Sequence, residues 1–350
     1  MKKKLVALLM VAGMLATTLF GCSSQTGQES SADAAAESTG ETTEEADTGT
    51  ETETTAANEE DNKYIAMIAL GFSHQYWQAV KQGAEEAAAE LGYTITFEGP
   101  EQETMVDKQV DMLKTAIQNN PAAICMAAID TGSVASILQE EKAQGVPIVG
   151  FDAGVGEEES DVKCSTDSIA AGALAAEHAG ELLGGEGKIA IIGHSQTVVD
   201  AVERVQGFKD KIESDYPNIE IVDIQYGDGD HVKSAEIAKS MVTAVPDLDL
   251  IYTSNEGSCV GAYNGLKEIG KIGEVMLIGF DSSAAMKDAV RSGEIVGAIT
   301  QDPIGMGRAA VESAVKLLNG EEVESFIDTG CYWYDASNMD DPEIAPLLYD

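Results

Sequence analysis

From Tyr64 onward, short apolar runs alternate with longer stretches in which apolar residues recur at helical spacing. The apolar runs have the length of buried strands, and the stretches between them have the length of helices of three to five turns. The helical stretches end near Gly or Pro, as in Leu91-Gly92, which is typical of helix C-termini. The predicted strands are 64–70, 94–97, 122–128, 148–151, 188–192, 219–224, 250–253, 275–278 and 296–299. The predicted helices are 76–91, 106–119, 133–144, 169–183, 201–214, 232–244, 259–269, 284–292 and 306–318.

This alternation predicts an α/β fold. Strands that alternate with helices form parallel sheets with helices on both faces. The predicted strands are too many for one comfortable sheet, and the length of 350 residues suits two domains. We therefore expect two doubly wound, Rossmann-like lobes, each with a parallel sheet.

The first sixty residues differ from the rest. Lys2–Lys4 precede the apolar run 5–20, which is short for a bilayer span but suits the core of a signal peptide, predicted at 1–21. The run is followed by Gly21 and Cys22, which resembles the bacterial lipobox with its small residue before the cysteine, and we expect Cys22 to be lipidated. Residues 23–61 hold 12 acidic and no basic side chains, so 22–62 is predicted to be a disordered stalk that tethers the folded part to the membrane outside the cytoplasm.

Composition excludes several classes of partner and site. The chain has 61 Asp and Glu against 21 Lys and Arg, a formal charge of −40, which repels the phosphates of nucleic acids. Cys125, Cys164, Cys259 and Cys331 lack CxxC spacing, so buried thiols are expected and a metal site is not. Whether Cys164 and Cys331 form a disulfide stays open.

Polar and aromatic residues follow the predicted strands at their carboxyl ends, where open α/β sheets bind ligands. Planar carboxylate, guanidinium and amide groups bind adjacent hydroxyls, and aromatic rings cover the C–H faces of a sugar. Strand-end Asp and Asn are also common as turn residues and helix caps, but several strand ends with the same chemistry together indicate a sugar site. The candidate residues are His74, Tyr76, Trp77, Asp152, Arg204, Asn255, Asp281 and Gln301.

With these residues, the chain from Tyr64 onward resembles the type I periplasmic binding proteins, the sugar-binding components of ABC importers, and more loosely the ligand domains of LacI-type repressors. The most specific stretches are 77–92, 145–152, 204–208, Asn255 and 279–301. The resemblance implies stacking by Tyr76 and Trp77, with His74 as the polar residue before them. It implies hydroxyl binding by Asp152, Arg204, Asn255, Asp281 and Gln301.

Two positions depart from this pattern. Ala153 stands where the family has an arginine, and Gly229 stands where it has an aromatic residue. The departures suggest a polyol shaped differently from ribose, or larger. A neutral monosaccharide is preferred, with inositols, nucleosides and autoinducer-2-like furanosyl signals as open alternatives.

The resemblance also implies three hinge crossings, near 166–167, 301–302 and 330–331. Lobe 1 would then comprise 63–166 plus 302–330, and lobe 2 would comprise 167–301 plus 331–350. The implied protein is a monomer without a cofactor that delivers its ligand to the permease subunits of an ABC importer.

Other functions are weighed against this one. The histidines at 74, 178, 194 and 231 could suggest acid–base catalysis, but no GxSxG, HExxH or Walker motif is present. Asp228 and Asp230 could suggest calcium, but the EF-hand pattern is missing and a solvated turn is expected. A DNA-binding repressor is excluded because no helix-turn-helix precedes Tyr64. A sensor that presents its ligand to a membrane kinase stays open.

Overall fold

Two six-stranded sheets form the framework of residues 62–349, the part of the chain that the computed structural model describes. The predicted α/β fold with two parallel-sheet lobes is confirmed. The predicted signal peptide, the stalk up to residue 61 and the lipidated Cys22 lie outside the described residues. Within the described part, no helix is both long enough and apolar enough to cross a membrane.

The sheet of the first lobe is parallel throughout, in the order β11-β5-β4-β3-β1-β2. Its strands are β1 (Tyr64–Ile68), β2 (Thr94–Glu98), β3 (Ala123–Met126), β4 (Ile148–Phe151), β5 (Val162–Ser165) and β11 (Phe326–Asp328).

The sheet of the second lobe repeats this arrangement in the order β12-β10-β9-β8-β6-β7. Its last strand, β12, runs antiparallel to β10, which departs from the all-parallel prediction. β12 does not reach β10 by a crossover within this sheet, because the chain between them forms the helix Pro303–Leu318 and β11 of the first lobe and returns from there. The strands of this lobe are β6 (Glu186–Gly193), β7 (Asn218–Tyr226), β8 (Leu250–Thr253), β9 (Met276–Phe280), β10 (Gly297–Gln301) and β12 (Cys331–Tyr334).

Nine α-helices in the described residues cover the sheets, and each matches a predicted helix to within a few residues. They are α1 (Gln75–Leu91), α2 (Val106–Gln118), α3 (Thr131–Ala143), α4 (Ser168–Leu182), α5 (Val199–Asp215), α6 (His231–Ala244), α7 (Glu256–Glu268), α8 (Ala284–Arg291) and α9 (Pro303–Leu318). Several begin at a side-chain cap, as where the Asp130 carboxylate accepts from the Ser133 amide at 2.7 Å.

The strands are apolar on both faces because both faces are covered. In β1, Ile65 and Met67 pack into one hydrophobic cluster with α1 and α9, while Ala66 and Ile68 pack into another with α2 and α3. All four side chains are buried. This explains why the sequence shows an unbroken apolar run here and not the alternation of a half-exposed strand.

The chain passes between the sheets three times. It leaves β5 for α4, returns from β10 to α9, and crosses again between β11 and β12. Two of the connections touch, since the Thr166 hydroxyl donates to the Gly330 carbonyl oxygen at 3.1 Å. The predicted lobe limits and the movement of these segments as hinges stay predictions.

The cysteines of the described residues are free thiols, so Cys164 and Cys331 are not joined by a disulfide. Cys125, Cys164 and Cys259 are buried and Cys331 is half-buried. Burial raises the pKa of Cys164 to about 11, which keeps it protonated and unreactive at neutral pH.

Candidate ligand-binding site

The carboxyl ends of the strands of both lobes face a common cleft, and the predicted residues meet there. The free space between their side chains is about 20 Å³, close to the room of one water molecule. The lining comprises the eight predicted residues, His74, Tyr76, Trp77, Asp152, Arg204, Asn255, Asp281 and Gln301, together with Leu70, Glu103, His194 and Asp200.

Two aspartates occupy equivalent positions in the lobes. Asp152 follows β4 in the sequence Gly-Phe-Asp, and Asp281 follows β9 in the same sequence. Both have positive φ, 55° and 73°, a backbone region that costs a non-glycine residue about 1 to 3 kcal/mol. Strain of this kind persists where surrounding contacts enforce it, and here it turns both carboxylates into the cleft.

Both carboxylates already accept hydrogen bonds. The Tyr76 hydroxyl donates to Asp152 at 2.8 Å. Asp281 accepts from the Gln301 side-chain amide at 2.6 Å and from the Glu256 backbone amide at 3.0 Å. The two carboxylates therefore lie fixed at defined positions on opposite lobes.

A buried ion pair lies beside them. The Arg204 guanidinium is 3.1 Å from the Asp200 carboxylate one turn earlier on α5, and it donates to the Ser254 carbonyl at 3.0 Å and to the Gln301 side chain at 3.2 Å. It also lies over the Phe280 ring, 4.0 Å from its centre. Arg204 Nε and Asp200 Oδ1 are buried without a hydrogen-bond partner among the described residues, so this pair keeps one donor and one acceptor for a further polar group.

The first lobe contributes an aromatic wall. Trp77 contacts Tyr76 and Phe151 edge to face, with ring centres 5.0 and 6.4 Å apart, and only 2% of it is exposed. Its indole N–H donates to Glu103 at 2.9 Å, and the same carboxylate oxygen lies 3.1 Å from His74 Nδ1. Glu103 thus ties His74 and Trp77 together at the mouth of the cavity.

The electrostatics of this wall follow from burial and pairing. Burial opposes the charge on both members of the His74–Glu103 pair, but their mutual attraction outweighs it. The pKa of His74 rises to about 9, and the pKa of Glu103 falls to about 2. Burial raises the pKa of Asp152 to about 7, and the nearby negative charge of Asp200 adds to this effect. Burial alone would lower the pKa of Arg204, but the attraction of the Asp200 carboxylate outweighs it and the pKa of Arg204 rises.

Asn255 caps a helix and also lines the cavity. It is the N-cap of α7, where its side-chain oxygen accepts from the Ser258 amide at 2.9 Å. The helix-cap role considered for strand-end residues is therefore real here. The cap uses only the oxygen, which leaves the amide nitrogen of the same side chain for the cavity.

The sequence analysis did not include Glu103, His194 and Asp200 among the site residues. His194 directly follows β6, so the rule that predicted the other residues also covers it, whereas Glu103 lies five residues beyond the end of β2. Asp200 lies four residues before Arg204 on α5, the spacing at which oppositely charged helix residues pair.

Other residues considered for catalysis or metal binding have different surroundings. His178 stacks on Trp333 with ring centres 4.0 Å apart, and neither lines the cavity. Asp230 caps α6 by accepting from the Lys233 amide at 2.7 Å. No cluster of three or more His, Cys, Asp and Glu side chains in residues 62–349 is arranged to hold a metal ion.

Comparison with known proteins shows the family to which the chain is related. The model of the periplasmic binding protein domain matches residues 65–322. The chain belongs to the periplasmic binding protein family. The predicted resemblance is confirmed, and the family implies a location outside the cytoplasm.

Two similar solved structures contain a bound sugar, and one similar protein is named for ribose import. A solute-binding protein of an ABC transporter from Agrobacterium vitis, solved with bound D-fucose, is 31% identical, with a TM-score of 0.79 over 82% of this chain and 100% of that one. One from Agrobacterium radiobacter, solved with D-arabinose, is 30% identical, with a TM-score of 0.77 over 83% of this chain and 99% of that one. The ribose import binding protein of Escherichia coli is 23% identical over 78% of this chain and 90% of its own length.

Proposed function

We propose that this protein captures a sugar between its two lobes and delivers it to an ABC importer, as a binding protein without catalytic activity. The observation that carries the proposal is the convergence of carboxylate, guanidinium, amide and aromatic groups from both lobes on one buried cavity. Sugar hydroxyls both donate and accept hydrogen bonds, and this set of groups offers both functions. The relatives solved with monosaccharides support the same ligand class.

Capture requires the lobes to move. The cavity has about 20 Å³ of free space, far less than a sugar ring occupies, because its polar side chains bond to one another. The Tyr76–Asp152 and Gln301–Asp281 hydrogen bonds lie where ring hydroxyls would be placed. We infer that a sugar enters when the lobes part and then takes over these bonds as the lobes close over it.

Binding is tested by calorimetry of the purified chain against a panel of neutral pentoses and hexoses, with nucleosides and inositols included. We expect at least one sugar to bind, and Asp281→Ala to weaken it by about 30-fold or more, because truncation leaves buried partners unpaired. The matched control is Asp340→Ala, since 84% of the Asp340 side chain is exposed in a surface ion pair with Arg291.

Two results would contradict the proposal. If only nucleosides bind, the ligand class is wrong, and if Asp281→Ala binds as tightly as the wild type, the cleft is not the site. Circular dichroism of Asp281→Ala separates lost binding from lost folding.

We also propose that Cys22 is acylated and anchors the protein to the cell membrane. Two or more acyl chains anchor a protein stably, at about 0.8 kcal/mol per buried methylene. Cys22→Ala should therefore move the protein from the membrane fraction to the medium, as followed by immunoblotting of fractions from its own host. A wild-type protein recovered wholly in the soluble fraction would refute the anchor.

A further inference from the structure

A second cavity opens at the mouth of the cleft, outside the site described above. Its volume is about 460 Å³, within the range of about 300 to 1,000 Å³ typical of small-molecule sites. Both lobes line it: Glu101, Gln102 and Thr104 from the loop after β2, and Gly229, Asp230 and His231 at the start of α6. We call it the outer chamber, and the 20 Å³ cavity the inner cavity.

The outer chamber adjoins the inner cavity. His74 and Glu103 line both, so their ion pair forms the boundary between the two. Across the chamber, the His74 ring of the first lobe stacks on the His231 ring of the second, with centres 5.9 Å apart. A group attached to a ligand in the inner cavity would therefore reach the chamber by passing the His74–Glu103 pair.

Gly229 lies at this boundary. Its φ of 65° suits glycine, and a Cβ atom at this position would lie 3.1 Å from Glu103 Oε2, 3.2 Å from Asn255 Nδ2 and 3.4 Å from His74 Cε1. Any larger side chain would project into the boundary between the two cavities. The residue type at this position thus determines whether the inner cavity ends at Glu103 or continues outward.

The chamber wall has hydrogen-bonding groups to spare. The side chains of Ser73, Gln102 and Thr104 line it and make no hydrogen bond with any other residue in the described part of the chain. They supply hydroxyl and amide groups, which suit a hydroxyl-bearing ligand.

The charges of the chamber restrict the ligand further. Lys233 pairs with Asp228, and His74 pairs with Glu103, which leaves Glu101 and Asp230 as acidic side chains without an ion-pair partner among the described residues. A phosphate or carboxylate would be repelled by this surplus, whereas a neutral polyhydroxylated group would not.

We propose that the outer chamber binds a second, neutral polar unit that is covalently attached to the sugar in the inner cavity. The ligand is then a substituted sugar, such as a glycoside or disaccharide. This rests on the proposed function, since it assumes that the inner cavity holds the first sugar unit.

The test compares each free monosaccharide of the panel with its methyl glycoside, with disaccharides that contain it, and with its 1-phosphate, by calorimetry on the purified chain. A disaccharide should bind at least 10-fold more tightly than the free sugar, and the 1-phosphate should bind more weakly than the disaccharide. A free sugar that binds more tightly than every substituted form overturns the proposal while leaving the proposed function intact.

A matched pair of variants locates the second unit. Gln102→Trp fills the chamber, while Gln118→Trp makes the same change at an exposed position at the end of α2 that does not line it. Gln102→Trp should weaken the disaccharide by 10-fold or more and change the free sugar by less than twofold. Gln118→Trp should change neither.

If Gln102→Trp weakens the binding of the free sugar and of the disaccharide equally, the outer chamber is not a subsite. If Gln102→Trp does not fold, the ranking of free and substituted sugars by the wild type still decides. If the wild type binds no sugar in either form, the proposed function and this proposal both fall.

Discussion

The buried charged side chains of the cleft form oppositely charged pairs, in which each charge offsets the cost of burying the other. His74 is only 8% exposed, yet it carries a raised pKa because Glu103 lies 3.1 Å away. Asp200 and Arg204 form a second such pair, in which burial is outweighed by the partner's charge and the pKa of Asp200 falls. Removing one member of such a pair leaves the other as an unpaired buried charge, which is strongly destabilising.

The His74–Glu103 pair should give the unliganded protein a defined pH dependence. The pKa of His74 rises from 6.5 to about 9 on folding, so its stabilisation is complete below pH 6.5 and lost as pH rises through 9. The pKa of Glu103 falls from 4.5 to about 2, so its share is complete above pH 4.5 and lost as pH falls toward 2. The stabilisation should therefore be largest between pH 4.5 and 6.5.

The measurement is the melting temperature of wild type and His74→Gln from pH 5 to pH 9.5. The difference in melting temperature should be largest near pH 5 to 6.5 and should shrink toward pH 9, and a pKa shift of this size corresponds to about 3 kcal/mol of unfolding free energy. The other titratable groups facing His74 are Glu256, Asp281 and His231, and all three are present in both proteins. If the melting temperatures of the two proteins change with pH in parallel between pH 6.5 and 9.5, the His74–Glu103 pair does not contribute to stability.

Which site residues can be read from the sequence depends on where they lie. Asp152 and Asp281 directly follow strands and Gln301 is the last residue of β10, so the strand pattern alone places them at the cleft. Glu103 is five residues beyond β2, at the end of an irregular loop, and the direction of that loop is set by packing against the aromatic wall. The sequence does not encode that direction in any periodicity.

Helices in this fold approach one another through glycine. Gly83 on α1 faces the backbone of α9, and a Cβ atom there would collide with the carbonyl oxygen of Ile304. The reverse also holds, because a Cβ atom at Gly307 on α9 would collide with the carbonyl oxygen of Val80. The two helices therefore pack backbone to backbone, which fixes the position of α1, whose first turn carries Tyr76 and Trp77.

Gly83→Ala should destabilise the protein even though alanine favours helices. The added methyl group meets rigid backbone, and overpacking of this kind costs about 1 to 3 kcal/mol. The control is Gly132→Ala at the exposed start of α3, where a Cβ atom has only one neighbour, the Asp130 carboxylate at 3.5 Å. Thermal denaturation should show a lower melting temperature for Gly83→Ala and an unchanged or slightly higher one for Gly132→Ala. Equal stability of both variants would mean that α1 and α9 can separate without cost.

Three short strands were not predicted from the sequence. β5, β11 and β12 have four, three and four residues, and β5 includes Lys163 and Ser165 within its Val-Lys-Cys-Ser sequence. β4 and β8 also have four residues but were predicted from their apolar runs, whereas β5 interrupts its apolar residues with polar ones. The three short segments become strands because β4 and β10 present free edges beside them. The nine long helices and the other strands carry their own pattern, and all of these were predicted.

The two lobes share one strand order, and their contacts cross the cleft at its rim. The Glu256 carboxylate of the second lobe accepts from the Tyr76 amide of the first at 3.2 Å, and the Gln75 side chain of the first lobe accepts from the Ala284 amide of the second at 3.1 Å. Three connections join the lobes in the described residues, and Val198, Ala201 and Tyr349 of the second lobe pack into the hydrophobic cluster of the first. Opening the cleft would therefore separate these apolar contacts as well as the hydrogen bonds. We therefore expect ligand binding and lobe closure to be coupled through the cavity.

The two tryptophans of the chain lie at different distances from the inner cavity, and they offer a test of lobe closure. Trp77 lines the inner cavity and bonds to Glu103, whereas Trp333 lies on β12, stacked on His178 away from the cavity. When a sugar binds and the lobes close, the Trp77 ring gains a sugar face and loses water, while the surroundings of Trp333 change little. The intrinsic fluorescence of wild type and of Trp333→Phe should respond to the bound sugar, and Trp77→Phe should respond much less.

Because stacking adds only about 0.5 to 1.5 kcal/mol beyond area burial, Trp77→Phe should keep most of its affinity in calorimetry. An undiminished fluorescence response in Trp77→Phe would place Trp77 outside the region that closes and would remove the aromatic wall from the site.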